Sequence, residues 1–153
     1  MNPRPNPGVY SFKALMFKEE KRYRLRKGKK IMGYMRKFSD TSIFYSTGMW
    51  WRGQKIDYDD IDEWTGFKDK NGRHIYEWDI LHYKIDPEDK NKKGVVLWKK
   101  KDRQFGILDL DIKIFIPLEV EGIKMFNERQ MQVFSYLFIN PEIQDELDLE
   151  NGY

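Results

Sequence analysis

Residues 64–81 read WTGFKDKNGRHIYEWDIL. A polar run, Lys68-Asp69-Lys70-Asn71-Gly72, is set between apolar residues. Asn71-Gly72 is the strongest turn signal in the chain, because such a pair takes the φ > 0 conformations that a tight hairpin demands. Apolar and polar residues then alternate, which predicts one long strand over His74–Ile85. A hairpin opening into a strand sets an all-β frame.

The flanks extend that frame. Toward the N-terminus, residues 1–8 are a Pro-rich lead-in and Val9–Phe17 reads as a strand, with Tyr10, Phe12, Ala14 and Met16 on one face. Lys18–Lys30 (KEEKRYRLRKGKK) alternates Arg22, Arg24 and Arg26 with Tyr23 and Leu25, as on an exposed strand, and Gly28 marks its turn. Ile31–Phe38 and Thr41–Ser46 are strands around a Ser39-Asp40 turn, and Trp50, Trp51 and Ile56 form an aromatic block after Gly48. Tyr58–Ile61 reads as irregular or a helical turn.

Toward the C-terminus, Asp86–Gly94 is a polar connection, followed by strands at Val95–Lys99 and Phe105–Leu110. A further apolar run, Ile112–Ile116, stops at Pro117. Glu128–Gln132 connects to a strand at Val133–Ile139. Asn140-Pro141-Glu142 then opens a short helix, with Asn140 as cap, Pro141 at the first position and Ile143 and Leu147 on its apolar face. Short strands with turn signals at intervals of about ten residues predict a barrel or sandwich.

Composition bounds the function. Five Trp, nine Tyr and ten Phe in 153 residues speak for a folded chain. There is no Cys, which excludes disulfides and thiolate metal sites. No apolar run reaches the roughly 20 residues of a membrane span, and MNPRPNPG has no apolar signal-peptide core. The expectation is a soluble protein of the cytoplasm. Net charge is +3, unevenly spread: residues 1–56 hold 14 Lys/Arg against three acids, and residues 57–153 hold 14 against 22. Such asymmetry marks a nucleic-acid-binding arm, an acidic tail, or opposite poles that attract within the fold or between subunits.

Three pieces of the chain resemble the YopX-like family of phage and prophage proteins. The first is Thr65-Gly66-Phe67-Lys68-Asp69-Lys70-Asn71-Gly72, continuing through Ile75-Tyr76-Glu77 to Asp79-Ile80-Leu81. The second is Gly94-Val95-Val96 with Phe105-Gly106, and the third is Val133-Phe134 through Asn140-Pro141-Glu142. Ser11-Phe12-Lys13-Ala14 is similar to the family's opening strand. Two departures stand out: Trp78 replaces the family's usual Gly, and Lys18–Gln54 has no visible counterpart. The resemblance implies a C-terminal SH3-like β-barrel, a phage or prophage origin, life in a bacterial host cell, self-assembly into oligomers, and no established catalytic residues.

Glu77 and Asp79, on one strand face near Asp69, are the candidates for a metal-dependent hydrolase. Turn geometry explains the same acids better, with Asp79 accepting backbone N–H groups and Glu77 facing solvent. His74 and His82 are roughly 27 Å apart along one extended strand and cannot share a metal. Asp109 and Asp111 alternate within LDLDIKIFI, where a metal pair is imaginable but polar residues on the outer face of a half-buried strand explain the pattern better. No serine sits in a nucleophile elbow, and no glycine loop cradles phosphate. No cofactor or metal is expected. The basic stretch Arg22, Arg24, Arg26, Lys27, Lys29 and Lys30, with Tyr23, Tyr34, Trp50 and Trp51 near in sequence, is the candidate nucleic-acid site. Its structural counterpart is a charged edge strand or a docking arm.

The chain is therefore read as all-β. A basic β-rich extension over residues 1–61 precedes a YopX-like C-terminal barrel over residues 62–153. The expected function is that of a non-catalytic accessory protein that oligomerises and binds a macromolecule, whether nucleic acid or a host or phage protein. The aromatic surplus supports this, since interfaces favour Trp and Tyr.

Overall fold

The computed structural model describes residues 20–38, 41–46, 49–52 and 56–147. The chain forms two compact units, Met1–Glu63 and Trp64–Tyr153. Thirteen strands and one short α-helix make the described part all-β. No helix among the described residues is long and apolar enough to cross a membrane. The strand expected at Val9–Phe17, the Ser39-Asp40 turn and Gly48 lie outside the described residues.

In Met1–Glu63, β1 (Lys21–Lys27), β2 (Lys30–Phe38), β3 (Thr41–Ser46) and β4 (Met49–Arg52) form an antiparallel meander. The β1–β2 turn closes on Gly28, whose φ of 63° suits a residue without Cβ. The other edge of β1 pairs with the start of β5 (Asp60–Lys68), so that Arg24 lies opposite Tyr34 on one side and Asp62 on the other. The acidic Tyr58–Ile61 stretch is thus partly a strand rather than irregular. β1 is also not an exposed strand, because it has a neighbour on each side and both Arg24 and Leu25 are buried.

In Trp64–Tyr153, the end of β5 pairs with β6 (His74–Tyr76). Next in the chain come β7 (Asp79–Tyr83), β8 (Lys92–Lys99), β9 (Gln104–Asp109) and β10 (Phe115–Pro117). They are followed by β11 (Glu119–Val120), β12 (Ile123–Lys124), β13 (Met131–Tyr136) and the helix α1 (Pro141–Leu147). Five of these strands build one antiparallel sheet in the order β10-β9-β8-β7-β13. That order is open among the described residues, and closure into an SH3-like barrel stays an implication of the resemblance.

Both faces of this sheet are buried. Leu81, Tyr83, Val96, Ile107, Met131 and Val133 pack with Ile75, Leu118 and Phe126 on one face. Ile80, Val95, Leu97 and Leu108 pack with Leu137 on the other, covered by Ile143 and Leu147 of α1 as the helical spacing predicts. Two-sided burial explains the unbroken apolar run Val95-Val96-Leu97, where alternation would leave one face wet.

Several elements differ from the sequence reading. His74–Ile85 is not one strand, because Glu77-Trp78 turns the chain between β6 and β7. The apolar run at Ile112–Ile116 is mostly a turn through Lys113 (φ 58°), which leaves Ile112 and Ile114 more than half exposed. The β11–β12 hairpin has no periodicity long enough to detect. Glu121 and Gly122 both take positive φ (51° and 82°), as a two-residue hairpin turn requires.

Candidate functional site

The 64–81 stretch turns out to be a sealing device for a sheet edge. Asp69 is fully buried. Its Oδ1 accepts the N–H groups of Asn71 and Arg73, each at 2.9 Å, which shapes the turn locally. Its Oδ2 accepts the N–H of Val133 at 2.9 Å, far along the chain. Lys70 N–H donates to the Met131 carbonyl at 2.9 Å, and Arg73 donates to the Val133 carbonyl (3.4 Å) and to the Tyr136 hydroxyl (2.9 Å). Because β13 ends its sheet, its outward N–H and C=O groups need partners, and this turn supplies them.

The remaining signature residues serve the same geometry. Thr65 Oγ1 donates to the Ile75 carbonyl (2.8 Å) and accepts Phe67 N–H (3.1 Å), holding the irregularity between Trp64 and Lys68 where Gly66 sits at φ 93°. Of the Asn71-Gly72 pair, only Gly72 takes positive φ (79°), and its N–H closes the turn on the Asp69 carbonyl at 3.0 Å. The hairpin is therefore longer than a two-residue turn. Ile75 and Tyr76 are core.

Glu77 and Asp79 do not share a strand face. Glu77 lies in the turn, and buried Asp79 uses Oδ2 to accept Tyr76 N–H at 2.8 Å. Between them Trp78 takes φ 76°, a left-handed conformation that costs a bulky side chain and suits glycine. Its backbone is pinned by Trp78 N–H to the Val96 carbonyl and Leu137 N–H to the Trp78 carbonyl, both 2.8 Å. The histidines also part. His74 meets Trp64 edge-on at 4.9 Å, and His82 stacks on Phe134 at 4.0 Å. Burial, then the charges of Lys93 and Lys70, push the His82 pKa below its ordinary value. No group of His and acidic residues among the described residues is placed to hold a metal ion.

Asp109 is a second buried turn acid rather than an outward-facing strand residue. Its Oδ1 accepts the N–H groups of Asp111 (2.8 Å) and Ile112 (2.9 Å), and its Oδ2 accepts the Tyr83 hydroxyl at 2.5 Å. Burial pushes its pKa up, but the Tyr83 hydroxyl, the two N–H groups and Lys92 outweigh this and hold it below the ordinary carboxylate value. Burial, then the hydrogen bond to Asp109, pushes the Tyr83 phenol well above its own.

The basic segment finds carboxylates inside its own unit. Arg24 is 1% exposed, and its Nε donates to Asp62 Oδ2 at 2.8 Å. Arg26 grips the same fully buried carboxylate with Nε (2.7 Å) and Nη2 (2.8 Å). Arg22 pairs with Glu20, which Arg36 also holds through two 3.0 Å bonds. Lys27 pairs with Asp57 at 2.5 Å, and Lys29 and Lys30 are exposed beside the Gly28 turn. The partners Asp57 and Asp62 escaped the sequence reading, since nothing local signals which strand β5 will adjoin.

At the C-terminal end, Asn140 Nδ2 turns back to Ser135 Oγ (2.9 Å) and the Tyr136 carbonyl (2.6 Å) instead of capping α1. The backbone carbonyl of Asn140 accepts Ile143 N–H (3.0 Å) and Gln144 N–H (3.2 Å), while Pro141 opens the helix and Glu142 sits in its first turn. The motif ties the helix to the end of β13.

A search of the curated proteins gave no match. A family model described as YopX protein matches residues 16–143, a span that includes the basic segment Lys18–Gln54, so the family extends over the part of the chain that carries none of the three motifs. Since that match runs over most of the sequence, the chain belongs to the YopX family.

Proposed function

We propose that the protein is a non-catalytic accessory protein of phage or prophage origin, working in the bacterial cytoplasm by assembling with copies of itself and holding a macromolecular partner. The observation that carries this reading is the fate of the buried acids. Asp62 is held by two arginines, Asp69 by three backbone N–H groups, Asp79 by the turn it closes, and Asp109 by a phenol and two N–H groups. Acids committed to turns and ion pairs are poor general bases, because moving a proton onto them breaks the fold's own hydrogen bonds. Exposed Ile112, Ile114, Ile123, Met125 and Phe134 are the surface such a protein offers to partners. Light scattering is expected to give a mass above 18.6 kDa at micromolar concentration, and a clean monomer refutes the assembly. Stabilisation by a divalent cation in a thermal-shift screen revives the hydrolase reading at Glu77 and Asp79.

Nucleic-acid binding through residues 21–30 is the second reading. The exposed amines of Lys29 and Lys30 favour it, whereas the guanidinium groups of Arg24 and Arg26 are taken up by Asp62. It predicts salt-sensitive binding of single-stranded DNA or RNA that falls when Lys27, Lys29 and Lys30 become Ala. Binding unchanged by those substitutions removes it.

A further inference from the structure

A groove of about 340 Å³ lies between the β8–β9 turn and the β11–β12 hairpin. Its apolar lining comes from Phe67, Trp98, Phe105 and Leu118, with Trp98 and Phe105 meeting edge-to-face at 4.8 Å. Its charged lining is Asp102, Glu119 and Glu121 against the single Arg103. Asp102 already pairs with Lys99 at 3.3 Å. Glu119 and Glu121 are exposed, with no ion-pair partner among the described residues. They are carried on a hairpin whose strands are two residues long, beside half-exposed Val120 and strongly exposed Ile123.

We infer that this groove is a docking site for a basic segment of a partner protein, taking a lysine or arginine side chain over its aromatic rings and between its carboxylates. Charge complementarity selects the occupant. The Phe67 ring already carries the Lys124 amine at 5.4 Å and Asp102 is taken by Lys99, so the rings of Trp98 and Phe105 attract the cation while Glu119 and Glu121 repel phosphates and acidic peptides. The aliphatic stem of Lys or Arg matches the apolar lining, so one side chain satisfies both parts of the groove. The assignment is independent of self-assembly, since a partner's side chain needs only this unit.

The test is calorimetric titration of the full chain with a blocked Lys-Gly octapeptide and its Glu-Gly counterpart at about 50 mM and about 300 mM salt. The lysine peptide is expected to bind one per chain and to weaken with salt, and the glutamate peptide is expected not to bind. The exposed double variant Glu119→Lys/Glu121→Lys is expected to keep its unfolding temperature and lose about tenfold or more in affinity. Trp98→Leu is expected to lose about threefold to tenfold. Absence of binding, equal binding of the two peptides, or equal affinity of the double variant overturns the assignment. Light scattering of the double variant separates the remaining occupant: an unchanged mass is expected, and dissociation into monomers assigns the groove to a second copy and overturns the proposal.

Discussion

Asp62 and Asp69 are both fully buried carboxylates, yet the two units satisfy them by different means. In Met1–Glu63 the partners are guanidinium groups, and in Trp64–Tyr153 they are backbone N–H groups. The contrast follows from what else each unit buries. Among the described residues, Leu25 is the one buried apolar side chain of the first unit, whereas the second has two clusters on either side of its sheet. The described part of the first unit, with its one buried apolar side chain, relies on ion pairs set by strand register. A unit with a full core uses its acids to satisfy the main-chain groups that its turns would otherwise strand.

Breaking Asp62 is the largest expected effect. Asp62→Ala leaves Arg24 buried without its carboxylate and is expected to cost about 4 kcal/mol in urea unfolding. The triple variant Arg24→Met/Arg26→Met/Asp62→Leu is expected to recover most of that loss, since apolar side chains replace the whole Arg24–Asp62–Arg26 group. Failure to recover contradicts the view that the group substitutes for core.

Asp69→Ala is expected to cost about 3 kcal/mol, through three stranded N–H groups, one of them on the edge strand β13. No second substitution rescues it, because its partners are main chain. Rescue would erase the distinction between the units.

Gly106→Ala probes how full the second core is. A Cβ there lies 2.4 Å from a Phe115 ring carbon and 2.6 Å from the Ile116 carbonyl oxygen, so β10 must shift. The expected loss is about 2 kcal/mol, with hydrogen exchange faster across the β9–β10 pairing.

Tyr83→Phe removes one donor from Asp109, at an expected cost of about 1 kcal/mol near neutral pH. The pH dependence gives the sign. Asp109 has a lowered folded pKa, so its contribution is present above the unfolded carboxylate value of about 4 and is lost as pH falls through the folded value. Tyr83 has a raised folded pKa, so the wild type loses stability as pH rises past about 10, where only the unfolded phenol ionises. Tyr83→Phe is expected to flatten that alkaline limb, and an unchanged limb contradicts the assignment.

The smallest effect is expected for Trp78→Gly, within about 1 kcal/mol of zero. Relief of the left-handed backbone offsets the loss of Trp78 packing against the second cluster. A loss of several kcal/mol places the ring, not the backbone, in control of that turn.

Much of the fold was legible where a pattern is local. Thr41–Ser46, the Gly28 turn and α1 with its Ile143–Leu147 face are where periodicity and turn chemistry put them. The errors have one source. His74–Ile85 alternates like a strand, but Asp79 and the pinned Trp78 backbone impose a turn that periodicity cannot register. Ile112–Ile116 is apolar enough for a strand, but Asp109 draws two of the following N–H groups into a turn.

By itself, then, the sequence determined the class of the protein, the Gly28 and Asn71-Gly72 turns and the residue types on many strands, because these follow from short-range sterics and alternation, while its motifs carried the family. Tertiary structure alone decided what the charged residues do. Alternation places Arg22, Arg24 and Arg26 on one face, but only the pairing of β1 with β5 brings Asp62 opposite Arg24. Asn71-Gly72 announces a turn, but only the position of β13 gives Asp69 its third N–H. A carboxylate's role depends on the donors that reach it, and strands distant in sequence supply them.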